Sequence, residues 1–367
     1  MRHPDGIAMS NGKPGDIGWV LTRASLTSDD PLFHRVIENM TPAYFGRAEV
    51  QVFADAVAQF LFVLHGDGSA DIYVNDFVTL VEMLARRPME AGAVVTDRDI
   101  ADIRRVRFPG INFDPDDKVV YCFKAGWKFG LFFDLSSPRS STVDELELAW
   151  GTLRRRLTYE HVYEGLVGLD AAYMRADGWF PFVELIGTDF RTLRDAYSPT
   201  GDLDGLVERV VASFDAARLK VIMARWWAKP VFKPKQALLE AGVEAFLSGT
   251  SAGAIQCIKT LHSELEGLIR SIYLEDKGRG SGVKIPELLQ HVVERGEAKG
   301  ESDQSMLLPK EFLSYLKEVL FAHFNVDRGD VELSRNSSSH GVARPDDYTR
   351  ARALQAILAI DQLCFYV

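Results

Sequence analysis

Apolar residues in the first part of the chain come in short runs rather than in stripes. After a brief apolar segment at 17–21, the run at 50–64 predicts a buried helix or strand. Gly66-Asp67-Gly68 breaks it, and Asp71-Ile72-Tyr73-Val74 predicts a strand. The clearest local signal comes next. Val119-Val120-Tyr121-Cys122-Phe123 and Phe129-Gly130-Leu131-Phe132-Phe133 are aromatic and β-branched runs, joined by the turn-sized link Lys124-Ala125-Gly126-Trp127-Lys128. That pattern predicts a β-hairpin. Residues 145–164 then read as helix, 180–186 as a strand and Ser198-Pro199-Thr200-Gly201 as a turn. From Leu203 the period becomes helical, through Leu206, Val207, Val210, Val211 and Phe214 toward Trp226 and Trp227.

Pro230 and Pro234 interrupt that pattern and predict a boundary. Beyond them the period stays helical. Residues 236–247 form a short segment, and Ile255, Ile258, Leu261, Leu265, Leu268, Ile269 and Ile272 form a stripe of about five turns, with Glu266 on its flank. Leu288, Leu289, Val292 and Val293 mark a further helix. Phe312, Leu313, Leu316, Val319, Leu320 and Phe324 mark another after Pro309, and residues 296–304 between the two read as exposed. Pro345-Asp346-Asp347 has the chemistry of a helix start, and Leu354, Ile357, Leu358, Ile360, Leu363 and Cys364 supply a last apolar face. The expectation is an α+β chain: an α+β region over 1–230, with an internal break near 198–202, followed by an antiparallel all-α bundle over 231–367.

Composition narrows the function classes. At 367 residues, with 47% hydrophobic and 26% charged, the chain can build two or three globular cores. A net charge of −10 argues against a protein that coats nucleic acid, so any contact with RNA is expected to be local. Cys122, Cys257 and Cys364 lie far apart in apolar segments without metal-ligand spacing, which predicts buried thiols in a reducing cytoplasm. No apolar run reaches the roughly 20 residues a membrane span needs, and the polar first 16 residues do not read as a secretion signal. Neither a cofactor nor a metal is expected.

Candidate chemistry concentrates at Ser334-Arg335-Asn336-Ser337-Ser338-Ser339-His340-Gly341. Residues 333–345 hold two arginines, one histidine and no carboxylate, a locally cationic stretch in an acidic chain. Arg335 offers a permanent charge and His340 a group that exchanges protons near neutral pH. RNA cleavage without a metal needs those two functions: proton transfer at the 2′-OH and the leaving 5′-oxygen, and fixed charge on the developing phosphorane. Elsewhere the chemistry is sparse. His65 and His161 stand alone and read as structural; Arg154-Arg155-Arg156 reads as a solvated face, and Trp226-Trp227 as packing.

The Arg335 to His340 stretch, with Asn336 directly after the arginine, resembles the signature of the HEPN superfamily. The upstream stretch around Ser248-Gly249-Thr250-Ser251, followed by Leu265-Glu266-Gly267-Leu268-Ile269-Arg270, is similar to the second helix of HEPN domains in bacterial defence and abortive-infection proteins. The resemblance covers roughly 235–367 and leaves the first 230 residues unassigned. It implies a metal-independent endoribonuclease that acts as a homodimer, with Arg335 and His340 as the active pair, Asn336 as the adjoining polar residue and Glu266 orienting Arg335. It also implies toxin-like antiviral defence, with activity restrained by the N-terminal half or a regulatory partner. Two other readings compete: an inactive nucleic-acid-binding module, and a dimerisation platform for the N-terminal part.

Overall fold

The computed structural model describes residues 3–45, 56–278, 282–323 and 333–367. About 50% of the chain is helical and 14% is strand, with the sheet toward the N-terminus and the helices toward the C-terminus, so the chain is α+β. It divides into two compact units: residues 1–83 with 103–160, and residues 84–102 with 161–367. This differs from the expected boundary at Pro230.

The first unit is built on one antiparallel sheet. After the short pair β1 (Ile7–Ala8) and β2 (Val20–Leu21), the strands β3 (Arg23–Thr27), β4 (Gln59–Leu64), β5 (Ala70–Val74), β8 (Lys118–Ala125) and β9 (Lys128–Asp134) lie in the order β3-β9-β8-β4-β5. Between β5 and β8 the chain runs through β6 (Leu80–Ala85) and β7 (Ile100–Arg107). Register pairs Phe60 with Cys122, Leu61 with Tyr121, and Tyr121 with Phe132. Successive side chains point to opposite faces of a strand. Phe60, Phe62, Val120, Cys122, Leu131 and Phe133 therefore share one face, where Phe33, Val36 and Met40 of α1 (Pro31–Phe45) cover them. Leu61, Val63, Val119, Tyr121, Phe123 and Phe132 form the other face, under Leu146, Trp150 and Leu153 of α2 (Val143–Thr158). The sheet is buried on both sides, which explains why β8 and β9 read as unbroken apolar runs.

The predicted hairpin is β8–β9, closed more tightly than expected because both strands extend into the five-residue link; Gly126 turns at φ 60°. The run at 50–64 resolves into β4 at its end, and residues 50–55 lie outside the described residues. Arg155 is not solvated as the basic run suggested. It is fully buried and donates from Nε to the Ile103 carbonyl at 2.7 Å, while Arg154 lies over the Phe123 ring.

The second unit is helical: α3 (Glu160–Glu164), α4 (Leu169–Ala176), α5 (Thr188–Ala196), α6 (Leu203–Ala212), α7 (Ala216–Trp227), α8 (Gln236–Leu247), α9 (Ser251–Lys277), α10 (Ile285–Gly300), α11 (Pro309–Tyr315) running into a π turn at Leu316–Leu320, α12 (Arg335–His340) and α13 (Arg350–Cys364). Its centre is α13, buried on nearly every side from Ala353 to Cys364 and packed by α9, α8, α7 and α6. A helix enclosed all round has no face left for water. The last apolar face is therefore part of this chain's own core.

That core is also why Pro230 is no boundary. Asp361 of α13 is 1% exposed and accepts from Arg225 Nη2 at 2.7 Å and from Trp226 Nε1 at 2.9 Å, both on α7. Glu184, also buried, accepts from the same Arg225 at 3.1 Å and from Arg218 Nε at 3.3 Å. Residues 180–186, predicted as a strand, form buried turns instead. Phe180 and Phe182 pack edge-on or tilted against Phe312 and Tyr315, and the Val183 N–H donates to the Gln362 side chain at 2.9 Å, so helices supply what a partner strand would have. Residues 296–300, expected to be exposed, continue α10, with Gly296 buried against Pro309 and Tyr366; Phe324 lies outside the described residues.

Candidate functional site

Two helices build the site. α9 begins at an N-cap, Thr250, whose hydroxyl accepts from Gly253 N–H at 3.0 Å, and ends at Gly278 in the left-handed conformation. Between them its apolar stripe is buried, so its register is fixed and Glu266 is held on the flank, with its side chain 12% exposed. The expected stripe is present as read.

The Arg335 to His340 stretch forms a short helix of its own, α12. Ser334 caps it: its hydroxyl accepts from the Ser337 N–H, and the Ser337 hydroxyl in turn accepts from the Ser334 N–H at 2.8 Å, a reciprocal capping box made by two serines. Ser337 and Ser338 are buried, so part of the serine run serves packing. Asn336 donates from Nδ2 to the carbonyls of Phe321 at 3.0 Å and Ala322 at 3.2 Å, tying α12 to the end of the π turn. Its Oδ1 accepts from Arg335 Nη1 at 3.2 Å.

The geometry brings Arg335 and Glu266 together as an ion pair through Nη2 and Oε2. The other Glu266 oxygen accepts from Arg270 Nε at 2.8 Å, so one carboxylate holds two guanidinium groups, and Arg270 also donates to the Val283 carbonyl. His340 is exposed at the far end of α12. It comes five positions after Arg335, roughly 140° around a helix and about 7.5 Å along it. The two side chains leave the helix in different directions.

His262 belongs to this site and was not anticipated. It lies one turn before Glu266 on α9 and is 3% exposed. Burial first, then the charges of Arg352 and Arg335, hold it down to about 4, so it is neutral near pH 7. The i, i+4 spacing of His262 and Glu266 was the available signal, since it places both on one face of the helix.

Two surface pockets meet beside the site, sharing Ala176, Leu333 and Arg352. One, of about 380 Å³, is walled by Leu166, Ala172, Arg175 and Val319. The other, of about 820 Å³, is lined by Asp177, Asp204, Glu208, Asp346 and Asp347 against three arginines.

No family model, curated protein or solved structure matches this chain.

Among the described residues, no three His, Cys, Asp or Glu side chains are placed to hold a metal ion, and no helix is long and apolar enough to cross a membrane. His65 is held by Asp117 at 2.8 Å and Asp71 at 3.3 Å, and His161 is buried near Arg191 and Arg194. All three cysteines are buried free thiols.

Proposed function

We propose that the helical unit is a metal-independent endoribonuclease in which Arg335 stabilises charge on the phosphorane and His340 transfers protons. The observation that supports it best is the pairing of Glu266 with Arg335. A guanidinium fixed by a carboxylate from a neighbouring helix is pre-oriented before substrate arrives, which is what transition-state charge stabilisation requires. Asn336 holds the same guanidinium from the other side and anchors α12.

The reaction is an internal displacement. A base removes the 2′-OH proton, the 2′-oxygen bonds to phosphorus, and the P–O5′ bond breaks as an acid protonates the leaving oxygen, giving a 2′,3′-cyclic phosphate and a free 5′-OH. One imidazole cannot be base and acid in the same step. Arg335 and His340 also diverge around α12, and both facts favour two copies of the chain facing one scissile phosphate. The proposed form is therefore a homodimer whose contact surface is something other than the enclosed α13.

Purified protein incubated with mixed RNA in EDTA tests this reading. Cleavage leaving 2′,3′-cyclic phosphate ends is expected, reduced about 10²- to 10⁴-fold in His340→Ala and by a similar or larger factor in Arg335→Ala. Glu266→Ala is expected to be milder. Cleavage that needs Mg²⁺, or that is undiminished in His340→Ala, would overturn it.

A further inference from the structure

We propose that the pocket walled by α4, the π turn and Leu333 is a subsite for a guanine base of the RNA, so that the strand is cut beside guanosine. The proposal rests on the nuclease reading and names its substrate class. Position links the pocket to the site. Leu333 lines the pocket and comes two residues before Arg335, a reach of at most about 7 Å of chain. Glu318 and Val319 of the π turn form another wall, and the carbonyls of Phe321 and Ala322, which follow that turn, hold Asn336. The strip of chain that anchors α12 therefore also shapes the pocket. Turns of π helix recur at functional sites.

The lining suits a base. Ala172, Val319 and Leu333 give apolar walls for the faces of a ring, and the polar groups are few: Arg175, Glu318 and Arg352. Arg175 donates to Glu318 at 3.4 Å, and the two side chains are 41% and 57% exposed. An ion pair this exposed contributes little, so a ligand separates it at little cost. Opened, it offers a carboxylate that only accepts and a guanidinium that only donates. Guanine matches both. Its N1–H and N2 amino group are adjacent donors for the carboxylate, and its O6 and N7 are adjacent acceptors for the arginine. Adenine and cytosine carry an amino group beside an acceptor, and uracil one N–H between two acceptors, so a carboxylate that takes the donor meets a lone pair next to it. Arg352 supplies charge for the phosphate. Its guanidinium donates to the Ala176 carbonyl at 3.2 Å and to Gln355 Oε1 at 3.3 Å, both neutral, and it makes no ion pair among the described residues. Its whole charge is left for an anion.

The test cuts mixed-sequence RNA in EDTA and sequences both new ends, with circular dichroism as the control for folding. Guanosine is expected on one side of the cut. Glu318→Gln, which turns an acceptor into a donor at an exposed position, is expected to lower kcat/KM at guanosine about ten- to hundred-fold and to leave other sites within about twofold. Replacing that guanosine by inosine, which lacks the N2 amino group, is expected to slow the wild type several-fold and the Glu318→Gln variant hardly at all, because both changes remove the same contact. Cuts spread evenly over the four bases, or a base preference unchanged in Glu318→Gln, would overturn the subsite. If the wild type cleaves no RNA, the nuclease reading fails, and the subsite is decided by calorimetric binding of the dinucleotides GpU, ApU, CpU and UpU. Tighter binding of GpU, lost in Glu318→Gln, supports it; equal affinities, or no binding of any of the four, overturn it.

Discussion

Asp361 and Arg225 set the largest single-residue effects expected in the helical unit. Asp361 is fully enclosed, and burial works to raise its pKa against the pull of Arg225. Removing one partner of such a pair leaves an uncompensated buried charge, which costs about 3–5 kcal/mol. Urea unfolding of Asp361→Ala and Arg225→Ala should each show a loss of that size, and the double variant less than the sum. The buried histidines set a pH dependence. Burial and nearby arginines hold both His262 and His161 down to about 4, against an ordinary value of 6.5. Above pH 6.5 neither folded nor unfolded chain protonates them, so stability there is undiminished. Below it the unfolded chain takes up protons the fold refuses, and stability falls as pH drops from 6.5 toward 4. For fully enclosed His262 that amounts to on the order of 3 kcal/mol, and His262→Gln should flatten the fall in a melting series.

Gly151 on α2 is the clearest constraint at the level of elements. A Cβ there would sit 2.1 Å from the carbonyl oxygen of Arg104, so the helix runs against backbone with no room for a side chain. Gly151→Ala should cost about 1–3 kcal/mol or more through forced displacement, measured by thermal melting, although alanine is the better helix former. At the other site, Ser334→Ala should cost about 1 kcal/mol through loss of the cap. Elements of this kind were unequally legible in the sequence. The stripe of α9, the hairpin and the flank position of Glu266 follow from period alone, because each is amphipathic or bounded by turn residues. The segment at 180–186 misled because an apolar run records burial and not the partner that buries it. His262 was passed over because a histidine within an apolar stripe reads as core, and it is indeed buried there. α1 was missed although Leu32, Phe33, Val36, Ile37 and Met40 recur at helical spacing, and α12 is too short to show any period.

Over the whole molecule, connectivity and compactness disagree. Contacts assign residues 161–230 to the same unit as α8 to α13, through Asp361, Arg225, Trp226 and Glu184. A fragment starting at residue 231 lacks Arg225, Trp226 and Glu184, and is expected to give an unfolded spectrum by circular dichroism and NMR; a cooperative melt would contradict this. Light scattering at micromolar concentration should report a dimer if two copies share one scissile phosphate, and a monomer would count against that arrangement.

The second unit also owns residues 84–102, which lie between the two halves of the first. Arg86 donates there to the carbonyls of Ile100 and, much later in the chain, Ile186. During synthesis this segment emerges long before Ile186, yet the first unit needs only residues up to 160 to close. The ribosome therefore delivers a sheet that can fold while carrying an unfinished loop. Closing around such a loop costs little entropy, since the penalty grows only with the logarithm of its length. The order of birth thus makes the sheet the early folder and leaves Arg86 to find Ile186 afterwards.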